Sequence, residues 1–135
     1  MKFAGKVLLV DDEAHVRKFV GLIVRTLGEP QLLEAQNGRE AVEIYQREQP
    51  DLVLLDVNMP ILDGLGTLRE IKRIDPEAVV IMLTSLANRQ TVEEALELGA
   101  SSYIRKDTPR AEITKTLSET IEAVFGSGES ADVNP

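Results

Sequence analysis

Three aspartates, a threonine and a lysine carry most of the chemistry this sequence can offer. Asp11-Asp12 closes the apolar run Val7-Leu8-Leu9-Val10, and Asp56 closes a second run, Leu52-Val53-Leu54-Leu55. Thr84 follows Val79-Val80-Ile81-Met82-Leu83, and Lys106 follows Ser102-Tyr103-Ile104-Arg105. Carboxylates gathered at one place repel one another unless a cation joins them. A hard divalent ion with oxygen ligands, Mg²⁺ before others, suits such a cluster. A carboxylate beside that ion can attack phosphorus and form an aspartyl phosphate. A threonine hydroxyl can donate to a phosphoryl oxygen, and a lysine ammonium can pair with it as a point charge. Phosphoryl transfer needs little more, because its catalysis is mostly positioning and charge neutralisation. One geometric demand follows. Adjacent strand residues point to opposite faces, so Asp11 and Asp12 reach one ion only where the strand ends and the backbone bends.

These residues share one place only if the surrounding elements bring them there. Short apolar runs at Lys6–Val10, Gln31–Ala35, Asp51–Leu55, Ala78–Leu83 and Ser102–Ile104 alternate with longer amphipathic segments. The first, third and fourth runs are apolar without alternation, as strands covered on both faces of a parallel sheet are. The second, carrying Gln31 and Glu34, and the short fifth read as edges. Helices are predicted near Glu13–Leu27, Gly38–Glu48, Gly64–Ile74, Asn88–Leu98 and from Pro109 to about Phe125. Their inward positions are Val16, Phe19, Val20, Ile23 and Leu27 on the first, then Ala41, Val42 and Tyr45 on the second. Leu65, Leu68 and Ile71 face inward on the third, and Val92, Ala95 and Leu96 on the fourth. The fifth offers Ile113, Leu117, Ile121 and Val124 at helical spacing. Asp63 is the expected N-cap of the third helix, Gly99 follows the fourth, and Pro109 suits a first helical position. Five strand–helix units in a row give an α/β, doubly wound five-stranded parallel sheet with five flanking helices. Ligands in such sheets sit beyond the carboxyl ends of the strands, which is where the three aspartates, Thr84 and Lys106 fall.

Composition limits the alternatives. The chain has 135 residues, 15 basic and 23 acidic side chains and a net charge of −8. That length suits one domain. The absence of cysteine excludes a disulfide framework, a thiolate metal site and a cysteine nucleophile, and fits a reducing compartment. The acidic balance argues against gripping nucleic acid or an anionic membrane surface. No apolar run approaches the roughly 20 residues of a membrane span. The segment Gly126–Pro135, poor in apolar residues, reads as a disordered tail.

The sequence resembles the receiver domain of bacterial two-component response regulators, the CheY-like family. The likeness rests on Val7–Glu13, Asp51–Pro60, Asp63-Gly64, Thr84-Ser85, Gly99–Tyr103 and Lys106, and spans about residues 5–125. It implies a flavodoxin-like strand order, 2-1-3-4-5, which periodicity alone does not supply. It implies Asp56 as phosphoacceptor, with Mg²⁺ bound by Asp12, by Asp11 through water or as support, by Asp56 and by the backbone carbonyl of Asn58. Thr84 and Tyr103 would form a switch pair, Lys106 would meet the phosphoryl group, and the face of the fourth helix, fifth strand and fifth helix would meet a partner. The phosphoryl source would be a sensor histidine kinase or histidine phosphotransfer protein. The downstream protein target is not specified by the sequence. The expected protein is a cytoplasmic signalling module with no direct nucleic-acid or membrane contact. It is not an enzyme, though it catalyses its own phosphorylation and slow dephosphorylation on Asp56. Residues 1–125 would be the receiver domain and 126–135 the tail.

Two positions modulate that expectation. Receivers commonly carry proline after the lysine, whereas Lys106 is followed by Asp107-Thr108-Pro109. A cis bond without proline costs about 2.5–4 kcal/mol, so a trans bond is expected there and the loop geometry is open. Asn58 and Leu86 lie two residues past the acceptor and the threonine, where the family tunes dephosphorylation. Leu86 cannot position a water. The phosphorylated form should therefore decay more slowly than that of Leu86→Glu, and equal decay in a phosphate-release assay would refute this.

Other readings compete. The chain could be the receiver fragment of a longer multidomain regulator. An Mg²⁺-dependent haloacid-dehalogenase-like phosphohydrolase also uses an aspartyl nucleophile, but Asn58 stands where its general acid belongs. A pseudo-receiver binding partners without phosphate is weakened by the complete residue set. An FMN carrier lacks a phosphate-cradling loop after the first strand. His15, Arg17, Lys18 and Arg25 are read as surface residues of the first helix.

Overall fold

A computed structural model describes residues 3–85 and 88–126. Strands β1 (Lys6–Val10), β2 (Gln31–Ala35), β3 (Leu52–Leu55), β4 (Val80–Thr84) and β5 (Ser102–Arg105) alternate with helices α1 (Ala14–Arg25), α2 (Gly38–Glu48), α3 (Gly64–Ile74), α4 (Arg89–Glu97) and α5 (Arg110–Ile121). All pairings are parallel, in the order β2-β1-β3-β4-β5, with β2 and β5 at the edges. The fold class and strand order are those expected. The disordered-tail expectation and Leu86 lie outside the described residues, apart from Gly126, which ends a π-helical turn, Glu122–Gly126.

The unbroken apolar strands split their side chains between two cores. Leu8, Val10, Val53, Leu55, Val80 and Met82 pack with α2, α3 and α4 residues such as Tyr45, Leu68 and Ala95. Val7, Leu9, Leu52, Leu54, Ile81 and Leu83 pack with Val20 and Ile23 of α1 and Ile113 and Leu117 of α5. Each strand is thus covered on both faces, and the strand ends alone are left for polar chemistry.

Three side chains expected inside are instead half-exposed: Phe19, Leu96 and Val124. On α1 the buried stripe runs through Val20, Gly21, Ile23 and Val24, with Gly21 close to Leu9 and Leu32, so Phe19 falls on the flank. On α4, nine residues long, only Ala95 is fully buried. Past Ile121 the chain widens into the π-helical turn. That shifts the inward register by one residue, so Val124 turns out and Phe125 meets Phe3 at 5.3 Å between ring centroids. Pro109 occupies the N-cap of α5 rather than its first helical position. Asp63 caps α3 as expected, its carboxylate accepting from Gly66 N–H at 2.8 Å, and Gly99, at φ +102°, follows α4.

Between β3 and α3 the chain turns through Ile61, whose φ of 71° lies in the left-handed region. A β-branched residue is strained there, at a cost of about 1–2 kcal/mol. The side chain is 77% exposed, so little packing holds it. Ile61→Asn should stabilise the chain by about 1 kcal/mol, since asparagine tolerates this conformation. Thermal unfolding would check this; a lower midpoint would mean that the isoleucine side chain contributes more than its backbone costs.

Candidate functional site

β1 and β3 are neighbours paired Val10 to Leu55, so the residues after them emerge side by side at one rim. The ladders continue one step past each strand: Asp11 N–H donates to Ala35 O and Asp56 N–H to Val10 O. The chain then bends. Asp11 Oδ1 accepts from Glu13 N–H at 2.9 Å, closing the turn into α1. That bend meets the geometric demand raised by two adjacent aspartates. Asp11, Asp12 and Asp56 each present a carboxylate oxygen within 4.8 Å of the others. Asp11 and Asp56 are buried, whereas Asp12 is exposed.

Lys106 closes the cluster from β5. Its N–H donates to Thr84 O at 2.8 Å, which extends the ladder past Arg105. Its Nζ lies 2.5 Å from Asp11 Oδ2 and 3.2 Å from Asp56 Oδ2. Burial opposes its charge, but the Asp11 hydrogen bond and the charges of Asp56 and Asp11 outweigh it and raise the lysine pKa. The group is an ammonium ion at neutral pH. The loop lacking the usual proline therefore still delivers the lysine, and no peptide bond among the described residues is cis. Arg105 and Asp107 pair at 2.6 Å on the exposed side of that loop.

Thr84 is fully buried at the end of β4. Met82 pairs with Tyr103, so by strand alternation Thr84 and Tyr103 share one face of the sheet. Tyr103 is half-buried, and burial together with the nearby Asp56 charge raises its pKa. Asn58 is exposed, and its N–H points to Asp56 Oδ1 at 3.4 Å. Behind the site Gly64 opens α3 in tight contact with the Asp56 backbone: a Cβ there would lie 2.2 Å from Asp56 O.

The donor set fits Mg²⁺. All three side chains offer hard carboxylate oxygens, and the exposed Asp12 leaves the site open to the waters that this ion retains. His15 stands exposed at the rim, as expected, beside a cavity of about 130 Å³ bounded by Phe19 and Lys106.

Two features escaped the sequence reading. Arg17, expected at the surface, is largely covered: Nη1 donates to Asp11 O at 2.7 Å and Nε to Glu34 Oε1 at 2.7 Å. Its destination depends on β2 lying beside β1, which local spacing does not reveal. At the opposite end of the sheet Tyr45 donates its hydroxyl to Asp75 Oδ2 at 3.0 Å. Burial, then the Asp75 hydrogen bond and the charges of Asp75 and Asp51, push this phenol well above its ordinary range. The two partners stand 30 residues apart, so no local motif announces them.

The family model of the response regulator receiver domain matches residues 7–118. The chain belongs to that family. Among curated proteins it is 36% identical over 118 residues to the chemotaxis protein CheY of Bacillus subtilis, covering 87% of this chain and 98% of that one. It is 40% identical over 126 residues to a probable transcriptional regulator, ycf27, of Guillardia theta, covering 90% of this chain and 49% of the regulator. Among solved structures it resembles a chain of the CheX–CheY–BeF₃–Mg²⁺ complex of Borrelia burgdorferi. That match has a TM-score of 0.80 and 34% identity, and covers 89% of this chain and 88% of that one. The chain is therefore a CheY-like receiver domain, a signalling module rather than a classical enzyme, and the phosphohydrolase reading finds no support. Among the described residues no helix is long and apolar enough to cross a membrane.

Proposed function

We propose that this receiver accepts a phosphoryl group on Asp56 from the phosphohistidine of a sensor kinase or histidine phosphotransfer protein. A carboxylate oxygen of Asp56 attacks phosphorus, the P–N bond breaks, and its electron pair stays on the imidazole nitrogen. The observation that carries this reading is the meeting of three carboxylates with one ammonium ion at the carboxyl ends of the strands. Asp11, Asp12, Asp56 and the carbonyl of Asn58 would hold Mg²⁺. The ion, when bound, neutralises charge on the nucleophile and the phosphoryl oxygens. Lys106, already 3.2 Å from Asp56, pairs with the incoming group. Added charge of about −1.5 to −2 draws in the Thr84 hydroxyl, and Tyr103 on the same sheet face follows. The face of α4, β5 and α5 then changes its affinity for a protein partner. Such a module works in the cytoplasm, either alone or, as the half-length match to a longer regulator suggests, within a larger protein. The chain so acts on itself and turns over no separate substrate.

The test is intact mass after incubation with Mg²⁺ and acetyl phosphate. The reading expects one phosphoryl group per chain at saturation, and none when Mg²⁺ is left out of the incubation. Steady hydrolysis without a trapped adduct, or no adduct at all, would overturn it.

A further inference from the structure

We propose that Arg17 is a positioning residue for the metal site, an inference that rests on the Mg²⁺ reading above. Asp11 and Asp12 can face one ion only because the chain leaves the strand direction between them. Two contacts hold that departure. One is local, the Glu13 N–H on Asp11 Oδ1. The other comes from Arg17, whose Nη1 takes the Asp11 carbonyl oxygen at 2.7 Å just where β1 has ended. The same guanidinium is fixed at its other side by Glu34 of β2, at 2.7 Å from Nε. Its side chain is only 15% exposed. A planar group with donors in fixed directions thus ties helix, edge strand and bend together, which a flexible ammonium cannot do as well.

Arg17 has two opposed influences on a nearby cation. Its positive charge repels the ion, whereas its hydrogen bond preorganises the ligands. Glu34 offsets the charge, so the hydrogen bond dominates. The sign of the effect is therefore diagnostic. Supports behind metal ligands commonly govern affinity by about 10–100-fold.

The experiment is calorimetric titration of Mg²⁺ into the full chain, with thermal unfolding of each variant in the absence of Mg²⁺. Arg17→Gln should weaken Mg²⁺ binding about tenfold, the low end of the range for such supports. Arg17→Lys, which keeps the charge and one donor, should fall between it and wild type. A lowered unfolding midpoint with unchanged Mg²⁺ affinity would reduce Arg17 to a structural tie and overturn the proposal. Tighter Mg²⁺ binding in Arg17→Gln would make it a competing charge and overturn it too. Where Arg17→Gln does not fold, Arg17→Lys decides alone, and wild-type affinity there overturns the proposal. Failure of the wild-type chain to bind Mg²⁺ would instead overturn the underlying functional reading.

Discussion

A chain carrying Asp56→Asn takes up no phosphoryl group under conditions that fully modify the wild type. The amide offers no anionic oxygen to attack phosphorus, and no neighbour can replace it. Both oxygens of Asp11 are engaged, one by Glu13 N–H and the other by Lys106. Asp12 lies on the exposed side, away from the lysine contacts that tie Asp11 and Asp56 together. The substitution is close to isosteric, so the fold should persist with Asn58, Gly64 and the β3 ladder undisturbed. Intact mass checks the outcome. An adduct at the wild-type level in Asp56→Asn would move the acceptor elsewhere and break the link between geometry and function.

The second large effect concerns stability. Three carboxylates face one ammonium ion in this cluster, so the site carries excess negative charge that the fold must tolerate. A ligand that binds only the folded chain stabilises it by about 2.7 kcal/mol at a hundred times its Kd. In a domain of this size that corresponds to a rise of roughly 10 °C in Tm. Asp12→Ala should abolish most of that rise. Asp12 is exposed, so its removal leaves no cavity and relieves repulsion between like charges. The variant should therefore melt at or above the wild-type temperature without Mg²⁺ and fail to respond when the ion is added. Paired thermal scans would show this, and an undiminished Mg²⁺ response would remove Asp12 from the ligand set.

Much of the site was legible because its residues follow apolar runs directly. A run buried on both faces must end before it can carry a charge, so Val10 and Leu55 locate Asp11 and Asp56 without coordinates. Lys106 was legible by the same logic, although its approach was not. The chain delivers it through a ladder bond to Thr84 O rather than through the proline geometry the family commonly uses. What the sequence hid is long-range. Arg17 reads as one of several basic residues on a helix until β2 is placed beside β1. Tyr45 reads as core until Asp75 arrives from the end of α3. The misplaced core positions share a different cause. Phe19, Leu96 and Val124 sit at the margins of apolar stripes, where a small rotation of the helix or a change in its pitch decides between inside and outside.

The contact between Gly64 and Asp56 gives the domain a direction. No side-chain atom fits between that glycine and the carbonyl oxygen, so the start of α3 packs directly on the Asp56 backbone. Under the proposed function, bulk added at the Asp56 carboxylate would then be accommodated on the other flank, toward β4 and β5. In the function proposed above the start of α3 would serve as a fixed anchor, and an alanine at position 64 would force it off the Asp56 backbone and disturb the site without removing any ligand.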